Sequence, residues 1–260
     1  YLYNVYNSNI TNNTLTSSAE ESLYIRLSAN ITARNNTVIG SSNERAFITH
    51  NNLAGSWAVY DSNNFTAGSS QTAAYLYYDY SDVNFTNNYV YSPDAIAGYY
   101  QASNNVYSYN NTFESGTSYA FDVYGTSGLL SIDDTATSGS NIAYYFYGTN
   151  DSRIYNLTAS SGGSTSVYIR GVGAADNNSF YNLNSSADNA VYFRGTTGAT
   201  FYDCIALEGS SYDFFANADG GSNATFVNCT IGPKYVYANN NLTVKWWGET
   251  IVNDSNGYLG

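Results

Sequence analysis

Short runs of alternating apolar and polar residues, closed by Gly, Asn or Asp, fill this chain. In Ala190 to Ala199 the alternation sets Val191 and Phe193 on one side and Tyr192 and Arg194 on the other, and Gly195 ends the run. Thr200-Phe201-Tyr202 then leads to Asp203, and Cys204 to Leu207 form a third apolar stretch before the Glu208-Gly209-Ser210-Ser211 turn. One phrase marks the period: FDVYG ends at Gly125, YYFYG at Gly148, VYIRG at Gly171 and VYFRG at Gly195. Intervals of about 23 residues identify units that cannot bury an apolar face alone and must stack on their neighbours. Short strands and turns packed into that length leave no room for a crossover helix of roughly ten residues or more. The pattern therefore predicts an all-β protein, a parallel β-helix of about ten coils.

Laid over neighbouring units, the frame puts a turn residue at Asn111, Asp134, Asn156, Asn182, Asp203 and Asn228. Asn and Asp tolerate left-handed backbone geometry, so a column of them gives the repeat a corner. Less regular units come earlier. Leu23-Tyr24-Ile25-Arg26 and Leu76-Tyr77-Tyr78-Asp79 read as the same strand, and Arg45 to Thr72 as a longer unit with a bulging loop. The solenoid is expected over residues 1–236. In 237–260 the repeat breaks, and Leu242 to Gly260 reads as two strands followed by an Asp-Ser-Asn-Gly turn, which fits either the opening of an immunoglobulin-like module or a cap that covers the last coil with Trp246 or Trp247. No initiator Met or apolar signal core stands at Tyr1, so a removed signal peptide or a missing upstream region is expected.

Phe201-Tyr202-Asp203-Cys204-Ile205 and Phe226-Val227-Asn228-Cys229-Thr230-Ile231 resemble repeats of the secreted right-handed parallel β-helices grouped as NosD-like, carbohydrate-binding or sugar-hydrolase types, which are common on archaeal cell surfaces. The likeness covers residues 1–236 more loosely. It implies a right-handed solenoid. Such families include polysaccharide lyases, glycosidases, adhesins and surface-layer proteins, so the resemblance leaves function open.

Lys and Arg number 8 against 20 Asp and Glu, giving a net charge of -12. That balance argues against a nucleic-acid partner and suits a solvated extracellular surface, and no apolar run is long enough for membrane insertion. Asn-X-Ser/Thr glycan acceptors occur at Asn9, Asn12, Asn30, Asn35, Asn64, Asn84, Asn110, Asn150, Asn177, Asn184, Asn223, Asn241 and Asn253. Asn156 and Asn228 carry the same motif, but they fall in the corner column, where a side chain turned inward would be closed to a glycan.

Chemistry is sparse. His50 is the only histidine, and its Ile48-Thr49-His50-Asn51-Asn52 setting reads as a turn rather than as part of a nucleophilic triad. Arg26, Arg170 and Arg194 recur at one strand position, as an exposed ladder rather than a single tuned base. Asp133 and Asp134 would point to opposite sides of a corner instead of forming a glycosidase carboxyl pair. Asp213, Asn217 and Asp219 beside Gly220-Gly221 offer oxygens to Ca²⁺ but lack EF-hand spacing, so no cofactor and no catalytic residue is expected. Cys204 and Cys229 sit at equivalent positions of adjacent coils, where in-register side chains do not converge, which favours two stacked thiols over a disulfide.

Taking Val191 and Phe193 as inward leaves Tyr77 and Asp79, Tyr99 and Gln101, Asp122 and Tyr124, Tyr145 and Tyr147, Tyr168 and Arg170, and Tyr192 and Arg194 outward on successive coils. Coils stack about 4.8 Å apart, so these residues form an aromatic stripe. Tyrosine joins a flat apolar face to a hydroxyl and suits both protein interfaces and sugar stacking, while aromatic cross-strand pairs also stabilise an exposed sheet unaided. Open solenoid ends invite a further strand, and head-to-tail contacts that do not close give filaments. The expected function is a non-catalytic, extracellular, glycosylated structural protein that self-associates into a filament or surface layer through the stripe and the ends. The alternatives are a carbohydrate-binding adhesin and a polysaccharide lyase or glycosidase.

Overall fold

A computed structural model describes residues 1–41, 43–79, 82–171, 177–195, 197–217 and 222–246. The chain winds into a parallel β-solenoid of about 10 turns, and no helix occurs among the described residues. A full coil has three faces. The first face stacks Leu23–Arg26, Phe47–His50, Ala74–Tyr77, Gly98–Gln101, Phe121–Tyr124, Ile142–Tyr147 and Thr165–Arg170 in register. The second is an 11-stranded sheet running from Tyr6–Thr11 to Asn241–Lys245. The third begins at Thr14–Thr16 and continues through Thr37–Ile39, Asn64–Thr66, Tyr89–Ser92, Thr112–Ser115 and Thr135–Ser138. In Asn184–Arg194 and Ala206–Ala216 one strand runs straight through the corner between the third and first faces.

The recurring phrase marks the corner after the first face. Gly125, Gly148 and Gly195 each hold φ at 59°, a conformation glycine adopts without Cβ strain, and Asn51, Tyr78 and Ala102 hold positive φ at the same corner in earlier coils. This moves one expected strand. The earlier strand is Ala74–Tyr77 rather than Leu76 to Asp79, because left-handed Tyr78 already turns the chain, and Asp79 points inward and is fully buried.

The corner between the second and third faces holds two columns where the sequence suggested one. Asn12, Asn35, Ser62, Asn87, Asn110, Asp133, Asn156, Asn182, Asp203 and Asn228 take positive φ and face out. Asn111 and Asp134 lie one residue further on, in a buried column with Asn36, Asn63 and Asn88. Paired Asn and Asp residues made either member fit the frame; alternation decides that the second one points inward. Within this column each Oδ1 accepts both the main-chain N–H and the Nδ2 of the residue one coil earlier, from Asn13 on Asn36 (3.0 and 3.1 Å) to Asn88 on Asn111 (2.9 and 3.1 Å). At the third corner Ser92, Ser115 and Ser138 accept the N–H groups of Ala95, Ser118 and Asn141.

The interior is filled by complementary columns. On the second face Tyr60, Phe85, Ser108, Ser131, Ile154, Phe180, Phe201 and Phe226 lie in register. Where that column narrows to Ser108 and Ser131, the first face supplies the fully buried Tyr100 and Tyr144. Gly98 leaves room for Phe113, whose ring would lie 2.5 Å from an added Cβ.

The longer unit over Arg45 to Thr72 spends its extra length partly in the corner between Phe47–His50 and Trp57–Asp61. Asn241–Lys245 pairs in parallel with Asn223–Val227, the preceding second-face strand. The tail from 247 onward, with its cap or module, lies outside the described residues.

Candidate functional site

Two outward columns run along the first face. One carries Tyr75, Tyr99, Asp122, Tyr145, Tyr168, Tyr192, Phe215 and Tyr235, and the other Tyr77, Gln101, Tyr124, Tyr147, Arg170 and Arg194. Tyr77 is therefore in register with Gln101, not with Tyr99, and its partner on the same coil is Tyr75 rather than the buried Asp79. The rings touch along the axis. Tyr75 and Tyr99 stack with centroids 4.9 Å apart, Tyr145 and Tyr168 lie at 5.1 Å, Tyr168 and Tyr192 at 4.6 Å, and Tyr124 and Tyr147 at 4.8 Å. The Arg170 guanidinium lies 4.9 Å over the Tyr147 ring.

Asp122 interrupts this surface. Alternation gives it an outward place between Tyr99 and Tyr145, yet it is only 5% exposed, and its Oδ1 has no hydrogen-bond partner. Burial alone pushes its carboxyl up to about 8. Its charge also raises the hydroxyls of Tyr99, Tyr119 and Tyr145, for each of which burial is the larger cause.

The Asn-X-Ser/Thr motifs lie elsewhere. Asn9 and Asn84 stand on second-face strands, Asn30 and Asn223 near their starts, and Asn64 and Asn184 open third-face strands. Asn12, Asn35, Asn110, Asn156 and Asn228 occupy the outer corner column, and Asn150 and Asn177 the corner before the second face. Asn241 opens the last second-face strand. Among the described residues none of these asparagines is buried, and none lies on the first face, Asn184 standing at the third-face end of Asn184–Arg194. Asn156 and Asn228 point outward, donating Nδ2 to Asp133 Oδ1 and Asp203 Oδ1, both at 2.7 Å. Asn253 lies outside the described residues.

His50 faces out on the first face. Its Nδ1 is 3.0 Å from the Tyr24 hydroxyl, its ring packs on Tyr77, and burial, aided by Arg26, lowers its pKa. The hydroxyl of neighbouring Thr49 points the other way, donating to Asp79 Oδ2 at 2.6 Å inside the coil. Asp133 and Asp134 do face opposite sides of their corner. Asp213 is occupied by main chain: Oδ1 accepts from Gly209 and Oδ2 from Gly232. Asn217 donates to the Tyr192 hydroxyl at 2.7 Å, and Asp219 lies outside the described residues.

Cys204 and Cys229 form a disulfide, with Cα atoms 4.8 Å apart, against the expectation of stacked thiols. The reason is the corner. Cys204 N–H points at Cys229 Sγ at 3.2 Å, as Asn13 N–H points at Asn36 Oδ1, so side chains in this column lean along the axis instead of standing perpendicular to a sheet. From the same corner the chain passes directly to Lys234–Val236 on the first face, and no described strand stacks on Ala206–Gly209 on the third. A cavity of about 330 Å³, lined by Cys204, Ile205, Leu207, Glu208, Asp213 and Gly232, occupies the omitted position.

Comparison with protein-family models, with curated proteins and with solved structures finds no match. The ordered tyrosines were legible from alternation. Burial of Asp122 was not, because it depends on the large side chains of neighbouring coils.

Proposed function

We propose that this chain is a non-catalytic structural solenoid of the cell exterior that binds further copies of itself through the tyrosine face, in a filament or layer, and carries glycans on its other sides. One observation carries the reading: every described acceptor motif lies off the first face, where the tyrosine columns run, and Asn184 stands at the third-face end of the strand that later carries Tyr192. Tyr and Arg are enriched at protein interfaces, and a contact surface must stay clear of bulky glycans. A NosD-like or archaeal surface-protein ancestry belongs to the same proposal.

The test is Tyr145→Ala combined with Tyr168→Ala, followed by sedimentation velocity and by glycan-array binding. Loss of assembly with the coil spectrum retained supports the proposal. Intact assembly with lost glycan retention would mean that the face binds carbohydrate, the adhesin alternative.

A further inference from the structure

Asp122 is the only carboxylate in the outward columns of the first face among the described residues. It is walled on every side. Tyr99 and Gln101 face it from the preceding coil, Tyr145 and Tyr147 from the following one, Tyr119 from the corner before its strand, and Tyr124 from its own strand, with Tyr75 beyond Tyr99. Phe121 and Val123 on either side of it turn into the core. The nearest cation along these columns, Arg170, stands two coils on and lies over Tyr147. Oδ1 has no donor. A charge here has neither a counter-ion nor a full set of hydrogen bonds, and covering the face removes what solvent remains.

We infer that association through the tyrosine face is coupled to one proton at Asp122 in each protomer, the contact holding while that carboxyl is neutral and opening when it is charged. The inference rests on the self-association reading. Burial already raises this carboxyl to about 8 in the separate molecule, and a covering copy raises it further. With the bound-state value above the free one, affinity is fully present below about pH 8. Above it, affinity falls by up to tenfold per pH unit for each Asp122 buried, until the bound-state value is passed.

Sedimentation velocity from about pH 6 to about 9.5, on wild type and Asp122→Asn, tests this. The expected result is a wild type that dissociates above about pH 8 and an amide variant that stays associated throughout. Wild-type association unchanged across the range overturns the inference whatever the variant does, and so does a shared pH profile; in both cases the tyrosine contact itself survives. Absence of association even at about pH 6, or association indifferent to Tyr145→Ala with Tyr168→Ala, removes the contact and the coupling with it. Circular dichroism on Asp122→Asn establishes that the variant is folded.

Discussion

Asp134 accepts twice from Asn111, from the main-chain N–H at 2.8 Å and from Nδ2 at 2.9 Å. It stands where the buried asparagine column ends, and Ser131 donates to its other oxygen at 2.6 Å. Burial pushes its carboxyl up to about 6, outweighing the hydrogen bonds from Ser131, Ser108 and Asn111. A folded value above the ordinary 3.8 means that the native state holds the proton more tightly than the unfolded chain. The resulting stabilisation is complete below about pH 4 and is lost as pH rises through about 6. Asp134→Asn should flatten that part of a plot of melting temperature against pH. An unchanged slope would assign it to another acid.

Asn63→Ala removes the middle of the column. Asn63 donates to Asn88 Oδ1 and to the Ala33 carbonyl, both at 3.0 Å, and receives two N–H groups of Asn36. Several buried groups lose their partners together, at about 1–3 kcal/mol each, so a loss of about 3 kcal/mol or more is expected in denaturant unfolding. The neighbouring exposed Asn64→Ala should stay within about 0.5 kcal/mol of wild type, and equal losses would deny the column its role.

Reduction of the Cys204–Cys229 bridge reopens a loop of sequence separation 25. Chain-entropy arguments put its contribution at about 3 kcal/mol. Cys229→Ser should lower the melting temperature under oxidising conditions and erase the effect of added reductant. A variant that still responds to reductant contradicts the pairing.

Glycan occupancy should be mutually exclusive at two pairs of acceptors. Asn12 and Asn35 share one corner on adjacent coils, and Asn241 donates Nδ2 to Asn223 Oδ1 at 2.8 Å across the next pair. Positions about 4.8 Å apart leave two branched glycans competing for the same solvent. Site-resolved mass spectrometry of protein from a glycosylating host should give occupancies that sum to no more than one at each pair; a larger sum refutes the crowding argument.

The repeat, the three-stranded coil and the tyrosine columns from Tyr99 to Tyr192 were readable because alternation and period are local properties of the chain. What escaped depended on the third dimension. Asn111 and Asp134 were placed in one corner column with Asn156, Asn182, Asp203 and Asn228 because doubled Asn and Asp residues give two equally good frames. Asp79 was placed outside because the left-handed turn at Tyr78 cannot be told from a continuing strand of tyrosines. The disulfide was missed because the direction of a side chain at a corner differs from its direction on a sheet.

The bridge between Cys204 and Cys229 also sets how the molecule answers force. A pull applied at Trp246 along the axis peels Asn241–Lys245 from Asn223–Val227, then Lys234–Val236 from Phe214–Ala216, and then reaches Cys229. There the unravelling meets a covalent stop. The bridged segment, about 80 Å of potential contour at roughly 3.4 Å per residue, stays out of the extension until the bridge is cut. Under tension the solenoid is a ratcheted spring with its catch near one end.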